Sequence, residues 1–169
     1  MTALEKTAET KVRLELPDIA HKLKSLTLPK VDAVVGIATG GVAFATMVAF
    51  WLEKPLHIIY LNYRDEANKP RHEKPKLLKP FEIDSNTFNK GLPLDAAQGK
   101  HPLANSELAE DSSKHILLVD DVSVSGATLE TAKQLLPNFQ ITTLVIKGKA
   151  DFVLYPDVRA CILLPWRDA

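Results

Sequence analysis

The sequence predicts an α/β fold, a parallel twisted sheet with helices on both faces. Three observations lead there. Residues 33–61 and 116–146 each run from an apolar strand through a glycine-containing turn or loop into a helix, then to a second apolar strand. The strand stretches are apolar throughout rather than alternating, which suits a sheet covered on both sides. Strand, helix and strand in succession require parallel neighbours joined by right-handed crossovers.

Taken in order, Pro17 to Leu26 places Ile19, Leu23 and Leu26 at helical spacing and predicts a packing helix. The first unit follows, with Ala33 to Ile37 as a buried strand, Thr39-Gly40-Gly41 as a turn, Val42 to Leu52 as a helix, and Leu56 to Leu61 as a strand after Pro55. In the second unit Ile116 to Val119 is a strand, Asp120 to Gly126 a loop, Ala127 to Leu136 a helix ended by Pro137, and Ile141 to Ile146 a strand. Between them, Asn62 to Lys114 is rich in Lys, Pro, Asn, Asp and Ser, with short apolar fragments such as Leu77-Leu78 and Phe81-Glu82-Ile83. So long a connection reads as a functional arm or lid, mobile and carrying one short strand pair.

The chain of 169 residues is expected to form a single domain, 1–169, with 62–114 as its arm. Its 21 basic residues balance 21 acidic ones, so no net field draws it to nucleic acid or to a membrane surface, and any bound anion must be held locally. The single cysteine, Cys161, excludes an internal disulfide framework, and no Cys/His cluster has structural-zinc spacing. The apolar stretch from Val42 to Leu52 is too short to span a bilayer, and the first residues carry no apolar core of a secretion signal. A reducing cytoplasm is the expected setting.

Chemistry concentrates in Ile116-Leu-Leu-Val-Asp-Asp-Val-Ser-Val-Ser-Gly-Ala-Thr-Leu129. In a parallel sheet ligands gather at the carboxyl ends of strands, where Asp120 and Asp121 fall. Adjacent carboxylates there can accept hydrogen bonds from vicinal hydroxyls and help hold a hydrated divalent cation. Ser125, Gly126, Ala127 and Thr128 then offer backbone N–H groups, two hydroxyls and a helix N-terminus, a combination suited to a phosphate dianion. Hydroxyl acceptors at one end and a phosphate cradle at the other describe a sugar phosphate.

This segment resembles the PRPP-binding signature of type I phosphoribosyltransferases, over about thirteen positions. The resemblance implies that Asp120 and Asp121 hold the ribose hydroxyls and Mg²⁺, and that 124–128 wrap the 5-phosphate. It also implies a small hood built from the chain ends, a homodimer, and transfer of the phosphoribosyl group of PRPP to a nucleobase, a purine before others, with release of pyrophosphate in nucleotide salvage. Ala38-Thr39-Gly40-Gly41 is similar to the family's pyrophosphate loop, in which glycines allow close approach of backbone amides. The ending Ile162-Leu-Leu-Pro-Trp166 resembles that of xanthine-guanine type enzymes, by which Lys147 would contact the base carbonyl and Cys161 or Ile162 pack on the ring.

Two positions depart from the pattern. Purine enzymes for 6-oxo bases usually carry an acid where this chain has Val124, and many relatives carry a cation where it has Thr39. The charge for pyrophosphate is then sought on the arm, among Arg64, Lys69, Arg71, His72, Lys74 and Lys76, with Arg64 first because it lies nearest the strand end. A closing arm would exclude water from the oxocarbenium-like state at ribose C1. Phe152 and Trp166 are expected in the core or at a subunit contact. The other reading is a regulator on the same fold that binds PRPP or a nucleotide without turnover.

Overall fold

The computed structural model describes residues 11–62, 75–81, 83 and 114–167. Among them the elements run β1 (Val12–Arg13), α1 (Leu16–Lys24), β2 (Ala33–Ala38), α2 (Val42–Leu52), β3 (Leu56–Asn62), β4 (Lys76–Leu77), β5 (His115–Ser123), α3 (Ala127–Gln134), β6 (Gln140–Gly148), β7 (Phe152–Val153) and β8 (Ile162–Leu163). The six-stranded sheet has the order β4-β3-β2-β5-β6-β7. All its pairings are parallel except that of β4, which lies antiparallel on the edge of β3. Among the described residues of the long connection, β4 is a short strand that pairs with the end of β3.

Helix boundaries follow local chemistry. Pro17 sits in the first turn of α1, where a missing N–H costs no intrahelical bond, and the Ser25 hydroxyl closes the other end on Lys22 O at 2.7 Å. Helix α2 ends at Glu53, held in the left-handed region (φ 53°), with Lys54 N–H donating to Ala49 O at 3.0 Å before Pro55 redirects the chain. Helix α3, of eight residues, closes earlier than expected, at Gln134, with Leu135 N–H and Leu136 N–H turning back to Ala132 O and Lys133 O.

The alternation of strand side chains divides the core in two. Val34, Leu117, Val119, Leu144 and Ile146 face α1 and α2, where Ile19, Leu23, Phe44, Ala45 and Val48 complete a buried cluster. Val35, Ile37, Ile116, Leu118 and Val145 face the other way, against Leu129, Ala132 and Leu136 of the α3 region. Helices on both faces explain why the strands had to be apolar on both. Phe152 and Trp166 are half-buried against the first cluster.

The chain ends meet in a two-stranded parallel sheet, β1 with β8, in register Val12↔Ile162 and Arg13↔Leu163. Val12 N–H donates to Cys161 O at 2.8 Å and Leu14 N–H to Leu163 O at 3.0 Å, which seats this small hood beside the main sheet's core through Leu14 and Leu164. One expectation needs correction. Strand β5 does not stop at Val119 but continues to Ser123, because β6 is equally long and keeps pairing with it through Val122↔Lys147 and Ser123↔Gly148. Asp120 and Asp121 are therefore strand residues, not loop residues.

Candidate active site

The acidic pair lies at the carboxyl end of β5, in the middle of the sheet, and both residues are buried, 8% exposed at Asp120 and 3% at Asp121. Such carboxylates need partners. Asp120 Oδ1 accepts the Asp121 amide at 2.9 Å, and Asp121 Oδ1 accepts the Val122 amide at 2.7 Å. Burial, and then the neighbouring Asp121 charge, push the Asp120 carboxyl well above the ordinary carboxylate range.

Asp121 Oδ2 points elsewhere. It lies 2.7 Å from a terminal nitrogen of Arg167, yet that contact is not along an N–H direction, so Oδ2 receives no aligned hydrogen bond. The contact is an ion pair with one buried and one half-exposed partner, not a fully satisfied bridge. Arg167 was not among the residues singled out from sequence. It follows Trp166 directly, and no pattern in the chain joins it to position 121, so only the folded path of the C-terminal turn reveals the pairing.

The 38–41 loop leaves β2, the parallel neighbour of β5, and comes down onto the same acids. A Cβ at Gly41 would lie 2.7 Å from Ile37 O, 2.9 Å from Asp120 Cα and 2.9 Å from Asp120 Oδ1. One at Gly40 would lie 2.7 Å from Asp121 Oδ2 and would run into the Arg167 guanidinium. Glycine is thus required here by space. The Ala38–Thr39 peptide is cis, Ala38 is buried and Thr39 exposed. Gly41 N–H donates back to Ile37 O at 3.0 Å, closing the turn into α2.

On the far side of the acids, residues 124–126 connect β5 to α3, and 127–128 open the helix. Gly126 takes φ 85° at the N-cap, a left-handed conformation that favours glycine, and Ser125 Oγ accepts the Ala127 amide at 3.4 Å. Val124 is 59% exposed and Ser125 is exposed, so the loop offers its backbone to solvent. The first-turn amides of α3 have no intrahelical acceptor by construction, and the helix dipole adds partial positive charge there. An anion is the complement to that arrangement.

Lys147, opposite Val122 in the sheet, is engaged with the hood. Its Nζ donates to Arg159 O at 3.1 Å and to Ala160 O at 2.6 Å. Cys161, exposed, follows immediately, and Ile162, half-buried, begins β8. The three residues expected around a base are therefore neighbours, with the lysine directed at main-chain carbonyls. Arg64, Lys69, Arg71, His72 and Lys74 lie outside the described residues; Lys76 is exposed on β4.

A divalent cation fits the acidic pair. The donors are hard oxygens, one of them without an aligned hydrogen bond, and among the described residues Arg167 is the cation paired with these two adjacent buried carboxylates. Among the described residues no group of three or more His, Cys, Asp or Glu could form a metal site alone, so a Mg²⁺ here would complete its shell with ligand oxygens and water. No helix of the described residues is long and apolar enough to cross a membrane.

The sequence matches the family model of the phosphoribosyl transferase domain over residues 13–147. No curated protein sequence matches the chain. Among solved structures, a purine phosphoribosyltransferase from Pyrococcus horikoshii Ot3 aligns at 23% identity over 94% of this chain and 95% of that one, with TM-score 0.61. The xanthine-guanine-hypoxanthine phosphoribosyltransferase of Helicobacter pylori aligns at 16% identity over 95% of both chains, also with TM-score 0.61. A Neisseria gonorrhoeae protein with bound ppGpp aligns at 23% identity over 96% of this chain and 91% of that one, with TM-score 0.56. At these identities the structures share the fold. With the 38–41 glycine loop and the 124–128 segment flanking two acids at the carboxyl end of the central strands, and the family model spanning residues 13–147, the chain belongs to the phosphoribosyl transferase domain family of enzymes.

Proposed function

We propose that this enzyme transfers the phosphoribosyl group of PRPP to a nucleobase, a purine before others, releasing pyrophosphate in nucleotide salvage. The observation that carries the proposal is the meeting of the 38–41 loop with Asp120 and Asp121, beside the 124–128 cradle on the same strand end. The purine enzymes among the neighbours of this fold support the choice of base class.

In this reading the amides and hydroxyls of Val124 to Thr128 hold the 5-phosphate, and Asp120 and Asp121 accept from the ribose hydroxyls. That fixes C1 between the 38–41 loop and the hood. The C1–O bond to diphosphate breaks with both electrons on the departing oxygen, a base nitrogen forms the new bond to C1, and the base proton leaves to solvent. Within the Ala38–Gly41 loop the Thr39 and Gly40 amides can come close to the departing group because no side chain stands at 40 or 41, the Gly41 amide being engaged with Ile37 O. Asp120 and Asp121 would hold Mg²⁺, which would supply positive charge against the leaving diphosphate. Arg64 is the candidate cation from the arm. Lys147 contributes by setting the path of Arg159 to Ile162, so Cys161 and Ile162 line the base side.

The assembly expected is a homodimer. Helix α2 has no charged residue, and its Phe50 is 83% exposed, a surface suited to self-association. The direct test of function is pyrophosphate release from PRPP and Mg²⁺ across a panel of purine and pyrimidine bases. Release with one or more bases supports transfer. PRPP binding without release from any base would favour the second reading, a ligand sensor on the same fold, which the uncharged Thr39, the Arg167–Asp121 pair and the ppGpp-bound neighbour favour.

A further inference from the structure

Among the described residues the contact left over by the proposed chemistry is Arg167 with Asp121. The guanidinium comes from the last turn of the described chain, where Arg167 N–H bonds Leu164 O at 3.0 Å, and it ends against both Asp121 and Gly40. It therefore touches the acid assigned to the ribose hydroxyls and the loop assigned to the diphosphate. The two partners differ sharply in exposure. Asp121 is 5% exposed at its side chain and cannot move far, whereas Arg167 is 56% exposed and can. The contact also misses N–H alignment at Oδ2, so the planar donor fork is not committed to this acceptor.

We propose that Arg167 is an exchangeable cation of the active site. In the free enzyme it neutralises Asp121; when PRPP binds, the ribose hydroxyls and Mg²⁺ take over Asp121 and the guanidinium turns to the diphosphate beside Gly40. The C-terminal turn thereby brings to the 38–41 loop the positive charge that Thr39 lacks. The exchange keeps a buried carboxylate from standing unpaired in either state. It also ties the hood strand β8, four residues upstream, to occupancy of the site. This inference rests on the reading of 38–41 as the pyrophosphate loop and of Asp121 as a ribose contact.

The test is calorimetric titration of the full chain with Mg²⁺ and three probes: ribose 5-phosphate, inorganic pyrophosphate and PRPP. For Arg167→Ala, pyrophosphate and PRPP affinity should fall on the order of tenfold or more, the loss of a charge-assisted pair, while ribose 5-phosphate affinity should not fall, because its acid has lost a competitor. Arg167→Lys, which keeps the charge without the fork, should recover part of the pyrophosphate affinity, and it serves where the alanine variant does not fold. Unchanged pyrophosphate affinity in Arg167→Ala, an equal fall for all three probes, or no recovery with lysine would each overturn the exchange. If the unaltered enzyme bound neither ribose 5-phosphate nor PRPP, the site assignment itself would fall, so the two failures are told apart.

Discussion

Replacing Gly41 by Ala is the sharpest probe of how the site is built. The φ of Gly41 is −77°, acceptable to any residue, so no conformational strain is introduced and the whole effect is steric. The new methyl would sit 2.7 Å from Ile37 O and 2.9 Å from Asp120 Cα, both backbone atoms of neighbouring parallel strands, where ordinary contact begins at 3.4 Å. Something must move by about 0.5–0.7 Å, and strands in the middle of a sheet have little room to give. Overpacking of that kind costs about 1–3 kcal/mol, which for a chain of this size lowers the melting temperature by about 2–10 °C. The displaced loop would misplace its amides by a comparable distance, so PRPP turnover should fall at least about tenfold. Thermal unfolding and initial-rate kinetics on one preparation read both effects. Gly126→Ala is the control for the melts alone, since its methyl meets nothing within 4 Å but must adopt φ 85°, giving a conformational cost of about 1–2 kcal/mol without disturbing 38–41. A Gly41→Ala enzyme that melts and turns over like the unaltered chain would refute the close seating of the loop on Asp120.

Other outcomes follow from the same geometry. Asp121→Ala should abolish Mg²⁺-PRPP binding in calorimetry; retained affinity would remove Asp121 from the site. Because the folded chain raises the Asp120 pKa, the free enzyme should lose stability as pH rises from the ordinary carboxylate range through the raised value, so Asp120→Asn should stabilise the unliganded chain at about pH 8 and much less at about pH 4. Melts at the two pH values check the sign. Lys147→Met removes both hydrogen bonds to Arg159 O and Ala160 O, and hydrogen exchange at 159–163 should quicken, with a stability loss of about 1–3 kcal/mol. Unchanged exchange would show that the lysine does not hold the hood. Phe50→Glu should shift a dimer to monomer in sedimentation, since it places a charge on the exposed apolar position of α2.

Much of this protein was legible in its sequence because the relevant forces are local or periodic. Apolar runs at 33–37, 56–61, 116–119 and 141–146, with helices after 41 and 126, were enough for a parallel sheet with covered faces, since burying such runs admits few alternatives. The acids, the glycine turn and the Ser-Gly-Ala-Thr segment were legible for a related reason: a loop that follows a strand lands at that strand's carboxyl end wherever the rest of the chain goes. Tertiary structure decided what depends on register and on distant partners. The continued pairing of β5 with β6 drew Asp120 and Asp121 into the sheet and buried them, which their polarity alone would not suggest. Lys147 turned to carbonyls twelve and thirteen residues away, and β1 found β8 across most of the chain. The pairing of Arg167 with Asp121 joins the end of the chain to the end of its central strand. No periodicity or spacing encodes that contact, because it exists only once the hood has brought the C-terminal turn over the 38–41 loop.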